Sequence, residues 1–211
     1  MATVVADMSM SLDGFIADRN DDVGPLFDWY RVGPVTTPSA DERWSFHTSE
    51  ASAKELRAFL PIIGALVCGR RVFDHTKGWG GRHPVGCPVF VVTHNVPKGW
   101  PRDDAPFTFV TDGVASAVAQ AKEVAGDKIV AIATPSITQQ CLNLGLLDVI
   151  RVNLVPVLLG DGIRFFDNLQ DAPIMLDDPT VTESTRVTHL QYRVRSTGRT
   201  SSSGPTTKQK R

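Results

Sequence analysis

The sequence predicts an α/β fold: a single domain with a mostly parallel sheet, helices on both faces and an antiparallel hairpin late in the chain. Three observations predict it. Short apolar segments alternate with helical segments along the chain. Residues 88–93 (PVFVVT) form a continuous apolar run, typical of a strand covered on both faces. Residues 182–196 alternate loosely between apolar and polar side chains, as an antiparallel edge hairpin does.

The first half of the chain contains strands, a loop and one clear helix. Residues 3–11 alternate as a strand does, and Leu12-Asp13-Gly14 ends it. Residues 32–40 are rich in Pro, Thr and Gly and predict a loop. The remaining predicted elements are a helix at 50–60 ended by Pro61, a short strand at 65–68 leading into Gly69, and the strand at 88–93.

The second half has a clearer pattern. A strand at 107–111 precedes a helix with Asp112 as its expected N-cap and Gly126 as its C-terminal stop. The apolar residues of that helix are Val114, Ala117, Val118, Ala121 and Ala125. A βαβ unit follows over residues 128–155, with Thr134 as the expected N-cap of its helix, Pro135 at the first helical position and Gly145 at the end.

The composition is that of a folded chain with no strong overall charge. Hydrophobic residues make up 42% and charged residues 21% of 211 residues, which excludes wholesale disorder. A formal net charge of -1 gives no basic field, so neither nucleic acid nor a membrane is an expected partner. Three cysteines are too few for a disulfide framework and the N-terminus carries no secretory pattern, so we predict a cytoplasmic protein.

The domain is predicted to span residues 1–196. Residues 197–211 (TGRTSSSGPTTKQKR) contain no large apolar side chain and four positive charges. Such a segment cannot bury enough surface to offset its ordering entropy, so it predicts a disordered basic tail.

The sequence lacks the motifs of several function classes. The chain has no GxGxxG after a strand, no GxxxxGK[ST], no GxSxG, no HExxH and no zinc-deaminase pattern. Its five histidines show no paired metal-ligand spacing. His83 and Cys87 lie four residues apart, but in a Gly/Pro-rich loop where helical facing does not apply. We therefore predict no metal site.

Three stretches carry the functional information. The first is residues 11–17 (SLDGFIA), directly after the N-terminal strand and followed by Asp28-Trp29. The second is residues 66–73 (LVCGRRVF), and the third runs from residues 145–148 (GLLD) to 156–162 (PVLLGDG) and on to Phe165-Phe166. In this order, over about residues 3–195, the sequence resembles the dihydrofolate-reductase-like family. Within that family it looks most similar to the C-terminal reductase domain of the bifunctional riboflavin-biosynthesis deaminase-reductase and its stand-alone relatives.

The resemblance implies an oxidoreductase that binds NADPH across the carboxyl edge of the sheet and transfers hydride to a small heterocyclic or carbonyl substrate. The family default is the reduction of 5-amino-6-(5-phosphoribosylamino)uracil in riboflavin synthesis. The implied catalytic positions are Asp13 and Trp29. The implied cofactor-binding positions are Gly14, Gly69, Arg70, Arg71, Thr93, His94, Thr134, Ser136, Ile137, Gly160 and Gly162. The implied partners are a small-molecule substrate and a second copy of the chain.

Several of these positions have a structural alternative. Arg70 and Arg71 follow a glycine that opens a helix, where backbone N–H groups and guanidinium groups suit a phosphate, but they could also form a solvated helix start. The resemblance favours a phosphate contact for one of the two. Asp13 could cap its turn, position the substrate, or do both. Trp29 could form a wall of a flat ligand pocket or belong to the core. Candidates for a substrate-protonating acid, which folate reductases carry after the first loop, are Asp41, Glu42, Glu50 and Glu55.

One departure from the family pattern bears on function. Where the relatives have two glycines at a strand-to-helix turn, this chain has Ala133-Thr134-Pro135. The added side chains and the missing proline N–H hinder the close approach of a dinucleotide. We expect the Thr134 hydroxyl to cap the next helix and so occupy donors that a phosphate would use. The competing hypothesis is therefore a non-catalytic or repurposed small-ligand-binding protein whose cofactor site has degenerated at this turn.

Overall fold

The computed structural model describes residues 2–195, so the predicted tail at 197–211 lies outside the described residues. In chain order the strands are β1 (Val4–Ser11), β2 (Phe15–Ala17), β3 (Val35–Pro38), β4 (Ser45–Thr48), β5 (Ile63–Gly69), β6 (Val89–Val92), β7 (Phe107–Val110), β8 (Ile129–Ile132), β9 (Val149–Val155), β10 (Ile163–Arg164), β11 (Thr180–Ser184) and β12 (Val187–Arg193). The α-helices are α1 (Glu50–Phe59), α2 (Arg70–His75), α3 (Val114–Ala125) and α4 (Pro135–Asn143). Short 3-10 helices cover Gly24–Arg31, Leu60–Ile62 and Lys77–Gly81.

Within residues 2–195, eight strands form one sheet in the order β11-β12-β9-β1-β8-β5-β6-β7. The strands from β9 to β7 pair in parallel, whereas β12 pairs antiparallel with β9 and with β11. The predicted mostly parallel sheet and the predicted late hairpin are therefore confirmed. The N-terminal strand β1 lies between β8 and β9, so the predicted βαβ unit β8-α4-β9 crosses over it.

Helices cover both faces of the sheet, as the continuous apolar strands predict. Ala65 and Val67 of β5 are buried together with side chains of α3 and α4. Leu66 and Cys68, which alternate with them, are buried on the other face in a cluster that includes the end of α1 and part of α2. Within the described residues, no helix is long and apolar enough to cross a membrane.

The predicted apolar stripe of helix α3 is confirmed, but its predicted N-cap is not. All five stripe residues, Val114, Ala117, Val118, Ala121 and Ala125, are buried. The N-cap, however, is Gly113 with φ 106, and no side chain caps this helix. The chain enters α3 through a positive φ that glycine tolerates, so Asp112 lies one residue too early and its prediction as the N-cap is wrong.

The predicted loop at residues 32–40 is also wrong in part. Residues Val35–Pro38 form β3, which pairs antiparallel with β4. Pro38 lies at the end of this two-stranded ribbon, where its missing N–H interrupts little of the ladder. Thr37 is 3% exposed, so this small ribbon is held by packing that composition alone does not reveal.

Candidate functional site

A cleft of about 1620 Å³ opens along the carboxyl ends of the parallel strands. Open α/β sheets bind ligands at this edge. Near β6 its lining includes Arg70, Arg71, Thr93, His94, Thr134, Ser136 and Ile137, and we call this part the β6 end. Near β1 its lining includes Asp7, Ser9, Phe27, Tyr30 and Phe46, and we call this part the β1 end. The two strands lie three strand spacings apart, about 14 Å, so an extended two-part ligand could span the cleft.

The structure brings most of the expected cofactor residues to this cleft. Eight of the eleven line it: Gly69, Arg70, Arg71, Thr93, His94, Thr134, Ser136 and Ile137. Gly14, Gly160 and Gly162 do not, and neither do Asp13 and Trp29. The residues that reach the cleft all follow the ends of β5, β6 and β8, because the turns after parallel strands meet at one edge of a sheet.

The Thr134 side chain does not cap its helix, so that expectation is wrong. Thr134 is the N-cap residue of α4, yet its side chain makes no capping hydrogen bond. Its Oγ1 instead accepts a hydrogen bond of 3.1 Å from the backbone N of Gly69. The side chain is drawn toward the end of β5, where it satisfies a buried N–H across the turn. Within the described residues, the first-turn N–H groups of Ser136 and Ile137 are therefore not used by a side-chain cap.

Gly69 lies close to the first turn of α4. A Cβ on Gly69 would lie 3.5 Å from Ser136 Oγ and 3.8 Å from Ile137 Cγ1, so a side chain there would fill the space in front of the helix. Free N–H groups at the start of a nine-residue helix carry a partial positive charge. Pro135 contributes none, so this turn offers one donor fewer than a turn without proline.

The two arginines differ in how strongly they are engaged. Arg70 Nε donates to both oxygens of Asp74 at 2.8 Å, and its NH1 donates to the Asn95 carbonyl at 2.8 Å. This fixes α2 to the turn after β6. Arg71 pairs through Nε with Asp21 at 2.7 Å and remains 68% exposed. Arg71 is thus the arginine whose guanidinium is more available to an anion in the cleft.

The two residues at the end of β6 have different environments. Thr93 is buried, and its Oγ1 donates to the Asn95 carbonyl at 2.8 Å. Its hydroxyl is thus used to hold the turn after the strand. His94 is exposed and lines the cleft next to it. Of the two, the His94 ring is the group with room to contact a ligand.

Asp13 ties two loops together. Its carboxylate accepts hydrogen bonds from Ser11 Oγ at 2.5 Å, Leu159 N at 3.1 Å and Gly160 N at 2.7 Å. These bonds, that from Ser11 above all, lower the pKa of Asp13 below its usual 3.8. The capping alternative is what the geometry supports. Gly162 belongs to the same loop, where a Cβ would lie 2.1 Å from the Ala17 carbonyl oxygen.

Trp29 belongs to the core. It is 2% exposed, its Nε1 donates to Ser9 Oγ at 3.0 Å, and its ring packs edge-on against His189 at 5.1 Å. The neighbouring Tyr30 faces the cleft instead and contacts Phe46 at a ring distance of 4.9 Å. Burial and the nearby Asp7 charge raise the pKa of Tyr30 well above its usual 10.0, so its phenol stays protonated.

Asp7, in the middle of β1, is a site residue that the motifs do not reveal. It lines the cleft, and burial raises its pKa above the usual 3.8. The signal in the sequence is a lone carboxylate inside a strand whose neighbours are apolar or small (VVADMSMS). None of the acids suggested by analogy, Asp41, Glu42, Glu50 and Glu55, lines the cleft. Asp41 pairs with Arg43, chiefly by a hydrogen bond that lowers the pKa of Asp41.

The fold and the position of the cleft define a dihydrofolate-reductase-like α/β protein. Dihydrofolate reductase from Enterococcus faecalis, complexed with NADP(H) and RAB-propyl, has a TM-score of 0.56 at 13% identity, and the match covers 91% of this chain and 96% of that one. A protein from Shewanella sp. PV-4, provisionally assigned to riboflavin biosynthesis, has a TM-score of 0.63 at 24% identity, covering 92% and 99%. The predicted fold is confirmed.

The sequence also places the chain in a family. The family model of the RibD C-terminal domain matches residues 2–190, so the chain belongs to the RibD C-terminal domain family. The deaminase/5-amino-6-(5-phosphoribosylamino)uracil reductase from Thermotoga maritima has a TM-score of 0.59 at 15% identity, and the match covers 92% of this chain and 57% of that longer one. The uncharacterised protein YyaP of Bacillus subtilis (strain 168) is 24% identical over 203 residues, 90% of this chain and 93% of YyaP.

Proposed function

We propose that this protein is an NADPH-dependent reductase that transfers hydride to a small heterocyclic or carbonyl substrate. One observation carries the proposal: the uncapped first turn of α4 and the exposed Arg71 line the same cleft as an aromatic β1 end with an acid of raised pKa. The RibD C-terminal domain family and the named reductases of the same fold support an oxidoreductase in general.

The two ends of the cleft would bind different parts of the ligands. At the β6 end, the N–H groups of Ser136 and Ile137 and the Arg71 guanidinium would bind the phosphates of the nucleotide. At the β1 end, Tyr30 and Phe46 would pack against flat rings and exclude water. Bound NADPH supplies the hydride, and the protein supplies orientation and a proton.

The family's default substrate is 5-amino-6-(5-phosphoribosylamino)uracil, and it is the substrate we propose to test first. The Thermotoga maritima relative is named as a reductase of this compound. Such a substrate needs a basic group for its phosphate. Arg31 and Arg43 both line the cleft. Arg43 is engaged by Asp41, whereas Arg31 is exposed, so Arg31 is the better candidate for a phosphate contact.

A second candidate function is ligand binding without turnover. Pro135 favours it, because this residue removes one N–H from the phosphate-facing turn. The Thr134 hydroxyl does not favour it, because this hydroxyl bonds to Gly69 and leaves the helix donors unused. A cytoplasmic location and a homodimer stay predictions, and size-exclusion chromatography with light scattering would test the latter.

The test is consumption of NADPH by the purified protein, followed by absorbance with a panel of small C=O and C=N compounds that includes the riboflavin-pathway pyrimidine. We expect one equivalent of NADPH to be oxidised for each substrate reduced. The matched control is Arg57→Ala, which removes an exposed arginine of α1 outside the cleft and should leave the rate unchanged. Saturable NADPH binding without reduction of any compound would favour the second candidate.

A further inference from the structure

Asp7 is held in place by residues of two neighbouring strands. In the register of the sheet, Asp7 pairs with Arg151 of β9, and Ser9 pairs with Asn153, which in turn lies opposite His189 of β12. Because side chains two residues apart share a face of a sheet, all five lie on one face. Asn153 Nδ2 donates to Asp7 Oδ1 at 3.2 Å, and Arg151 Nε lies 3.6 Å from the same oxygen.

A chain of hydrogen bonds leads from helix α1 to this carboxyl group. Ser52 Oγ lies 2.8 Å from His189 Nε2, and His189 Nδ1 lies 2.7 Å from Asn153 Oδ1. Ser184 Oγ lies 2.6 Å from Ser52 Oγ and continues the chain outward. Asn153 presents its NH2 group to Asp7 Oδ1 and its own oxygen to His189, and Oδ1 can accept this bond in both the ionised and the protonated carboxyl group. His189 Nδ1–H then donates to Asn153, and the Ser52 hydroxyl donates to His189 Nε2.

Burial keeps His189 neutral, and its hydrogen bonds hold the ring in place. Burial lowers the pKa of His189 to about 4, so near neutral pH the ring carries one proton, on Nδ1. The ring also packs edge-on against Trp29 at 5.1 Å, which restricts its rotation. Trp29 therefore acts from the core: it supports His189, which orients Asn153, which orients Asp7.

Two charged side chains, Arg151 and Glu55, act on the pKa of Asp7 in opposite directions. Burial raises the pKa of Asp7, the Arg151 guanidinium and the Asn153 hydrogen bond lower it, and Glu55 of α1 raises it again. Arg151 is shared, since its NH2 lies 3.1 Å from Glu55 Oε2. Glu55 therefore shares the guanidinium with Asp7, and burial, the largest effect, leaves the pKa of Asp7 above its usual value. A raised pKa increases the fraction of the carboxyl group that is protonated at a given pH, which a proton donor requires.

Other groups of the cleft are poorer proton donors. Burial lowers the pKa of His83 to about 4, so its ring is not protonated near neutral pH. Tyr30 can donate a hydrogen bond, but its raised pKa makes it a weaker acid than an ordinary tyrosine. Asp21 is paired with Arg71, and Asp22 accepts a bond of 2.8 Å from the Gly24 backbone. Among the carboxyl groups that line the cleft, this leaves Asp7 as the one suited to acid catalysis.

We propose that Asp7 is the catalytic acid of this site and that Asn153, His189 and Ser52 are the positioning residues that hold its carboxyl group. The inference rests on the proposed reductase function. The substrate carbon of a C=O or C=N group accepts a hydride, with its two electrons, from the nicotinamide. The Asp7 O–H bond breaks, and its proton bonds to the substrate oxygen or nitrogen. Asp7 is left as a carboxylate, which takes a proton from water before the next turnover.

The first arm of the test measures Asp7 itself in the protein without ligands. Carboxyl ¹³C NMR, with Asp7→Asn to assign the resonance, should show a pKa above 3.8. In His189→Phe, Asn153 is no longer held with its NH2 group toward Asp7, so the pKa of Asp7 should rise further. The matched control is His83→Phe, which removes a half-buried histidine that has no bond to Asn153, and it should leave the pKa of Asp7 unchanged.

The second arm measures turnover and binding. NADPH should bind Asp7→Asn within about twofold of the wild type, whereas kcat should fall by about 100-fold or more. A catalytic acid loses activity as pH rises through its pKa, so the upper midpoint of the kcat/KM profile should move with the Asp7 pKa in His189→Phe. A merely structural role would lower the rate without moving that midpoint. If the wild type turns over and either Asp7→Asn matches it or the midpoint stays fixed, this inference alone is overturned. If no nicotinamide binds, the proposed function fails and the inference falls with it.

Discussion

The backbone N–H of Gly69 donates to the hydroxyl of Thr134 at 3.1 Å, and this bond joins the turn after β5 to the turn after β8. Both turns border the β6 end of the cleft. The Ala133-Thr134-Pro135 sequence therefore does more than replace two glycines: Thr134 fixes the spacing between α2 and α4 while leaving the first-turn N–H groups of α4 available. A turn with a side chain can thus be a variant of a phosphate site and not its loss.

Thr134→Val tests that bond, because it keeps the shape of the side chain and removes the acceptor. The buried Gly69 N–H would lose its partner, so we expect the free energy of unfolding to fall by about 1–3 kcal/mol and NADPH affinity to fall severalfold. Thr134→Ser keeps the hydroxyl and is the matched control. Urea denaturation of the two variants provides the measurement. Equal stabilities would show that the bond contributes nothing.

Pro135→Ala restores one N–H at the first position of α4. If that position faces a phosphate, NADPH should bind more tightly by up to about 1 kcal/mol, or roughly fivefold. Pro61→Ala, in the 3-10 helix after α1, changes a proline that does not line the cleft, and it controls for the entropy that any proline removes from the unfolded chain. Isothermal titration calorimetry of both variants with NADPH measures the change in affinity. Weaker binding by Pro135→Ala would mean that the proline ring itself serves the site.

Two histidines, the buried His189 and the half-buried His83, make the protein sensitive to acid. Burial lowers the pKa of both His83 and His189 to about 4, below the unfolded value of 6.5. Below pH 6.5 the unfolded chain binds more protons than the folded one, so stability should fall as the pH drops from 6.5 to 4. At about 1.4 kcal/mol per pKa unit, each histidine contributes on the order of 2–3 kcal/mol to this loss.

Asp7 has the opposite effect on stability. Its raised pKa makes the folded state bind a proton more tightly than the unfolded one, so its contribution falls as pH rises above 3.8. The histidine effect is therefore measured as the difference in slope between the wild type and His83→Phe, by urea denaturation at several pH values, because His189→Phe also shifts the pKa of Asp7. Identical slopes would contradict the assignment of the His83 ring as neutral in the folded protein.

The loop that Asp13 holds contains two glycines with different requirements. A Cβ on Gly162 would lie 2.1 Å from the Ala17 carbonyl oxygen, which is backbone and cannot yield. A Cβ on Gly160 would have no atom within 4 Å. The φ of +75 at this position is the only source of strain for a side chain there. We expect Gly162→Ala to cost about 3 kcal/mol of unfolding free energy and Gly160→Ala about 1 kcal/mol. Similar losses in the two variants would show that the contact with Ala17 is relaxed.

The sequence predicts many of the residues that line the β6 end of the cleft and few of those that line the β1 end, for a physical reason. Gly69, Arg70 and Thr134 lie at strand ends, where local sequence determines the turn and the sheet brings the turns together. Asp7, Asn153 and His189 meet only through the register of β1, β9 and β12, and register depends on pairing between distant segments. For the same reason, local sequence cannot show that Trp29 packs inward while Tyr30 faces the cleft.

The proposed cofactor site is tested most directly by a calorimetric titration of the wild type, Arg70→Ala and Arg71→Ala with NADPH and with NADH. We expect the wild type to prefer NADPH and Arg71→Ala to lose that preference without loss of stability, because the exposed Arg71–Asp21 pair contributes little to folding. Arg70→Ala should keep the preference and be less stable, because Arg70 ties α2 to the turn after β6. Absence of binding by either cofactor to the wild type would contradict the account.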